Sequence, residues 1–248
     1  MKIDIPKTFM GIDTAQAYKE FLEREAEEEK QKAQQPIPPV TPQYTTLKDL
    51  LVEQTSLRDT NNNKVLLSYD NSLKALQQRN FQRHLRPSEA FHILIESIEN
   101  QQSPYKPLAQ DMLSSYGEWV SLAIKRTGNQ LTCYLDPENL IWNAPKEIYE
   151  VQGSLKHSGE HTFTIDNAIK SQTYVDLNQF PPDLQVFLYS KPFDQLPDMM
   201  KAGNKRAQLY LPPENRIWPC GRGNGISDFY LDGYYDSRAS RGVRSRAP

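Results

Sequence analysis

Apolar residues in the first half of this chain fall at helical spacing, whereas in the second half they alternate with polar ones. Asp13 can cap a helix over about 14–34, on which Ala17, Tyr18, Phe21 and Leu22 form a short apolar stripe. The following segment, Glu23-Arg24-Glu25-Ala26-Glu27-Glu28-Glu29-Lys30, is almost wholly charged and reads as a solvated helix face. Four prolines in the seven residues from Pro36 then predict an extended, polyproline-like spacer. From Thr46 the leucines Leu47, Leu50, Leu51 and Leu57 make a second helical stripe, which Asn61-Asn62-Asn63 breaks. A further helical segment, 71–84, carries Leu73, Leu76 and Phe81. Pro87 opens another at its first turn, where a missing N–H costs nothing, and Ala90, Phe91, Leu94, Ile95 and Ile98 follow at helical spacing. Pro107 opens the last, with Leu108, Met112, Tyr116, Trp119, Val120 and Ala123 on one side.

After Gly128 the texture changes to strands and turns. Runs at 131–135, 140–142, 162–165, 186–189 and 208–211 read as strands, and Asp232-Gly233 between aromatic arms is a two-residue hairpin signal. One phrase occurs twice here: Tyr134-Leu135-Asp136-Pro137-Glu138-Asn139-Leu140-Ile141-Trp142 and Tyr210-Leu211-Pro212-Pro213-Glu214-Asn215-Arg216-Ile217-Trp218 agree at seven of nine positions. Proline presets the turn dihedral and asparagine tolerates the left-handed conformation that closes it. Each copy is therefore expected to be a hairpin, with Tyr134 facing Trp142 and Tyr210 facing Trp218, and with one aromatic face buried. The reading is an α+β fold, a helical layer followed by a β-rich half with two repeated hairpins. Its parts are an acidic helix and proline linker at 1–45, a helical region at 46–127, a β-rich region at 128–236 and a disordered arginine-rich tail at 237–248.

Composition narrows the function classes. A formal net charge of −2 argues against general nucleic-acid affinity. Two cysteines, Cys133 and Cys220, exclude a multi-bridge disulfide framework and suit a reducing compartment. No apolar run reaches the length of a membrane span, and the start of the chain has no signal-peptide apolar region. A cytoplasmic protein is expected, or one exported without a cleaved signal.

Candidate chemistry is sparse. His157-Ser158-Gly159-Glu160-His161 spells a zinc-protease motif, but Gly159 and the strand alternation that follows place it outside a helix, so a polar turn between strands is the reading. Cys220, in a glycine-rich stretch with Arg222 nearby, could act as a nucleophile if His157 or His161 met it in space. Cys133 falls inside a strand and reads as a small buried side chain. No pattern implies a metal or a cofactor. The four tail arginines, Arg238, Arg241, Arg244 and Arg246, could contact an acidic partner, as the stripe of Tyr18, Phe21 and Leu22 could contact an apolar one. The expected function is a non-enzymatic protein-interaction module, an adaptor or a subunit of an assembly. The alternative is a cysteine-dependent hydrolase or transferase built on Cys220, possibly a secreted effector.

Overall fold

The structure, a computed structural model, describes residues 8–9, 12–13, 23, 43–114, 116–202, 206–223, 229–233 and 237–246. The chain divides into two compact units, Met1–Ile37 and Pro38–Pro248. In the first, β1 (Thr8–Phe9) pairs antiparallel with β2 (Ile12–Asp13). Of the helix expected over 14–34 only Glu23 lies among the described residues, and its backbone is helical. Tyr18, Phe21, Leu22 and the proline run lie outside them.

The second unit begins with β3 (Tyr44–Leu47), β4 (Leu50–Glu53) and β5 (Leu66–Leu67), then helices α1 (Tyr69–Gln78), α2 (Pro87–Glu99) and α3 (Lys106–Met112). Strands β6 (Glu118–Thr127), β7 (Gln130–Leu135), β8 (Glu138–Asn143), β9 (Ile148–Lys156), β10 (Gly159–Thr164) and β11 (Tyr174–Asp176) follow. After α4 (Pro182–Tyr189) come β12 (Gln208–Tyr210), β13 (Ile217–Arg222), β14 (Leu231–Asp232), β15 (Arg238–Ala239) and β16 (Val243–Ser245). The main sheet runs β10-β7-β6-β13-β14-β12-β11, with β15 and β5 joined to it beside β6. Strands β16-β4-β3 form a small sheet and β8-β9 a ribbon. The fold is α+β, with helices preceding most of the strands.

Local chemistry explains the helices that form where the pattern places them. Pro87 occupies the first turn of α2, and the Glu89 carboxylate reaches back to accept the Arg86 N–H at 2.8 Å, the carboxylate half of a capping box. Its Phe91, Leu94 and Ile95 are fully buried. The central strand β6 is covered on both faces. Val120, Leu122 and Ile124 join the larger core with α2, α3 and α4, while Trp119 and Ala123 join a second core with Tyr69 and Tyr149.

Three local expectations are corrected. Leu47, Leu50 and Leu51 belong to a β-hairpin, not a helix: Leu47 pairs with Leu50 across the turn at Lys48, whose φ is 52°. A two-residue turn puts partners three apart in sequence, which imitates helical spacing. The helix from Pro107 stops at Met112, and Trp119, Val120 and Ala123 are in β6, whose two buried faces leave no polar alternation to read. Residues 186–189 end α4, where Pro182 sits in the first turn and Leu184 and Leu188 face the core one turn apart.

The repeated phrase keeps the positive φ of its asparagine but neither the expected common turn nor the pairing: Asn215 lies in a turn, whereas Asn139 lies within β8 at a register shift against β9. Asn139 and Asn215 both have positive φ, 66° and 61°. In neither copy, however, do the two arms pair with each other. Tyr134 in β7 lies between Ala123 and Glu160, and Trp142 in β8 pairs with Tyr149 of β9. Tyr210 in β12 pairs with Tyr174 of β11, and Trp218 in β13 with Ile124 of β6. Only in the second copy do the aromatic rings meet, stacked at 5.3 Å and 10°. Of the Asp232-Gly233 hairpin, the first arm is β14; residues 234–236 lie outside the described ones.

The expected disordered tail is also corrected. Residues 237–246 are ordered against the body: β15 pairs with β5 and β6, and β16 pairs with β4. Gly242 passes so close to Phe81 that a Cβ there would lie 2.2 Å from the ring. Deleting residues 237–248 should therefore remove cooperative unfolding from the remainder of the second unit, as read by thermal circular dichroism. A truncated chain that still melts cooperatively near the full-length temperature would restore the tail to an appendage.

Candidate functional site

Arginine is rarely fully buried without partners, so the destination of the C-terminal arginines comes first. Arg241 is 1% exposed and enters a cluster of carboxylates from two distant parts of the chain, Glu53 and the pair Asp111 and Glu118. Its Nε donates to Glu118 Oε2 at 3.0 Å and its Nη2 to Glu118 Oε1 at 2.8 Å and to Asp111 Oδ2 at 2.5 Å. Its Nη1 donates to the Glu53 carbonyl oxygen at 2.5 Å. Lys64 lies 3.5 Å from Glu118, and Arg58 donates to the other Asp111 oxygen. The Glu53 carboxylate accepts from Arg79 at 2.6 Å and from the Gly242 N–H at 2.7 Å. Next to this cluster Arg238, fully buried, pairs with the buried Asp232 and donates to the Arg222 carbonyl oxygen at 2.6 Å.

The cluster is packed rather than open. Leu85, Ala90, Met112, Trp119 and Val120 close over Glu118, Arg222 and Arg241 and leave no space for a water-sized molecule. Burial alone would raise the Glu118 carboxyl, but Arg241 and Lys64 beside it hold it down at about 2, from an ordinary 4.5. Burial wins at Glu53, which is raised despite Arg79. His84, fully buried and 2.6 Å from Ser72 Oγ, is pushed by burial, and then by Arg79, from 6.5 to about 3, so its imidazole is neutral. These groups hold chain segments together.

The other residues singled out by sequence are scattered. Arg238 and Arg241, expected to contact a partner, are committed inside the protein, because unpaired carboxylates there could not remain buried. Arg244 lies over the Tyr44 ring at 4.8 Å, and only Arg246 leaves the surface with an exposed side chain. Cys220 is buried in β13, contacts the Trp218 carbonyl oxygen at 4.0 Å, and has its thiol pushed up by burial. His157 packs on Tyr134 and His161 on Phe187, and among the described residues no hydrogen bond joins either to Cys220. The constellation for a cysteine nucleophile is not assembled. His157 and Ser158 form the turn between β9 and β10, as the sequence suggests. Cys133 is buried in β7.

What sequence reasoning missed is the outer edge of the main sheet. The β6–β7 hairpin closes through Gly128 (φ 59°) and Asn129, so Thr127 and Gln130 form its last hydrogen-bonded pair. Alternation then turns the even-numbered residues of β7 toward β6 and the odd-numbered ones toward β10. The Ile165 N–H donating to the Asn129 carbonyl oxygen at 2.8 Å agrees with that parity. The N–H and C=O groups of Glu160, Thr162 and Thr164 therefore point away from the sheet. Among the described residues none of the three makes a backbone hydrogen bond on that side. The register with β7 is unbroken from Gly159 to Thr164, without a bulge or a proline. Glu160, His161, Thr162 and Thr164 are exposed. Phe163 and His161 are held from the core side by Phe187 of α4, at 5.3 and 4.8 Å.

No family model, curated protein or solved structure matches this chain. Among the described residues no helix is long and apolar enough to cross a membrane.

Two measurements check this account of the interior. On acidification the unfolded chain binds a proton at His84 from about 6.5 and at Glu118 from about 4.5, whereas the folded chain resists down to about 3 and about 2. Stability should therefore fall as pH drops through both windows, with the raised Glu53 opposing part of the fall. Glu118→Gln, which strands Arg241, should cost about 3–5 kcal/mol at neutral pH in urea unfolding and lose its share of the decline below pH 4.5. A flat pH profile in the wild type would contradict the cluster. Both thiols should react with Ellman's reagent only in denaturant; rapid modification of Cys220 in the native protein would reopen the nucleophile reading.

Proposed function

We propose that this protein is a non-enzymatic interaction module, an adaptor or a subunit of a larger assembly, which takes up an extended segment of a partner protein along β10. The observation that carries the reading is an edge that is unpaired among the described residues, with the backbone groups of Glu160, Thr162 and Thr164 directed outward. An open edge is a template for another strand, and proteins that do not use one usually blunt it with prolines, bulges or lysines. None of these interrupts 159–164. Strand addition needs no pocket: main-chain hydrogen bonds, each worth about 0.5–1.5 kcal/mol net, supply affinity, and flanking side chains supply selectivity. The strand is held in shape before a partner arrives by Phe187 beneath it, so little ordering entropy is lost on docking.

The test uses a proline where the amide points outward. Thr162→Pro should leave the ladder to β7 and the melting temperature intact, because an edge strand tolerates proline on its open side. It should abolish recovery of a partner from source extract. In hydrogen exchange the amides of Glu160, Thr162 and Thr164 should exchange freely in the isolated protein and become protected when the partner binds. Undiminished recovery by a well-folded Thr162→Pro variant would remove β10 as the docking strand.

A further inference from the structure

The reading of β10 as a docking edge leaves its occupant unnamed, and the sequence of the strand itself supplies a candidate. Resting on that reading, we propose that the occupant is a second copy of this chain, whose own β10 adds antiparallel across a two-fold axis and merges the two main sheets into one.

The argument is one of register. Only even-numbered residues present free backbone groups, so a two-fold pairing must place even-numbered residues opposite even-numbered ones. Pairing centred on Thr162 sets Thr162 opposite Thr162 of the other copy and Glu160 opposite Thr164 of the other copy, in both directions. Every outward N–H and C=O of the three residues then has a partner. On the outer face the two threonines can share a hydrogen bond, and each Glu160 meets a neutral residue. On the core-side face His161 lies opposite Phe163 of the other copy, an aromatic pair beside the His161, Phe163 and Phe187 rings already in contact.

Neighbouring registers are poorer. Centring on His161 sets the two imidazoles face to face and leaves Thr164 without a partner inside the strand. Centring on Glu160 sets two carboxylates opposite each other, which is repulsive. Centring on Phe163 strands Glu160 beyond the partner strand. The six residues are thus most complementary to themselves in one arrangement. A two-fold pairing also consumes the same edge on both copies, so it closes instead of growing into a fibre. The other end of the main sheet is the three-residue β11, too short to offer the same ladder.

Sedimentation velocity and light scattering on the full chain across a dilution series test the proposal. Wild type should pass from a dimer of 28.6 kDa chains to monomer on dilution. Thr162→Pro should weaken that equilibrium at least about tenfold, since it removes two hydrogen bonds and inserts two rings. Thr162→Lys should do the same by placing like charges on the axis. At dilutions where all three are monomeric, both should keep the wild-type melting temperature. Under mild oxidation with copper phenanthroline, Thr162→Cys should cross-link to itself and Thr164→Cys should not. Preferential cross-linking of Thr164→Cys would overturn the register. A wild type that stays monomeric at every concentration would overturn the second copy as occupant, while the docking reading would stand if Thr162→Pro still abolished partner recovery. If that variant altered neither dimerisation nor partner recovery, both would fall together.

Discussion

The Arg241 guanidinium between Glu118 and Asp111 is the contact on which the closure of the second unit depends. It joins the C-terminal arm to the first residue of the central strand and to the end of α3, while its Nη1 holds the Glu53 carbonyl of β4. Removing such charges from water is expensive, and attraction offsets the cost only when every member of the cluster is paired. The arrangement is therefore all-or-none. Glu118, Asp111 and Glu53 can stay inside only if Arg241, Lys64, Arg58 and Arg79 arrive with them. The C-terminal residues are thus structural members that complete the core and align β16 beside β4.

From that anchor the main sheet extends sideways with a core on each face. Successive residues of β6 serve opposite cores: Trp119 and Ala123 pack with Tyr69 and Tyr149, and Val120, Leu122 and Ile124 pack against the helices. The charged cluster fastens the sheet at the start of β6, and the hairpin through Gly128 carries it outward to β7 and β10. By β10 the burial has faded, and Phe187 supports the strand from the core side. Among the described residues, the result is a strand with one edge paired to β7 and one edge whose backbone groups have no partner. That is the combination strand addition requires, since a mobile edge would have to be ordered first.

Among the described residues, the most strongly perturbed ionisable groups lie inside the protein. The cysteines are buried, the one fully buried histidine is held neutral, and the most strongly shifted carboxylate is locked by arginine. Perturbed ionisable groups often mark catalytic sites, but structural ion networks perturb them as well. Here the absence of space around Glu118 and Arg241 favours the second explanation.

What could be read in the residues alone was what neighbours in sequence decide. Pro87 and Glu89 specify the start of α2; Asn139 and Asn215 take left-handed backbone, one at an irregularity within β8 and one in a turn; the polar pair His157-Ser158 separates two strands; and the mix of helical and alternating patterns specifies α+β. What the tertiary structure decided was every question of partnership. Leu47 and Leu50 are three apart both in a helix turn and across a two-residue hairpin, so only the strand β16, nearly two hundred positions away, selects the sheet. Strand β6 hides its period because it is buried on both faces, a fact that depends on two cores assembled from elsewhere. The repeated phrase kept the positive φ of both asparagines, but its arms pair with strands already nearby, and pairing is a competition that no single segment encodes. The arginines of the last twelve residues resemble those of a disordered tail. Arg238 and Arg241 become core because Glu118, Asp111 and Asp232 are buried and need charge partners there, and burial is a property of the whole fold.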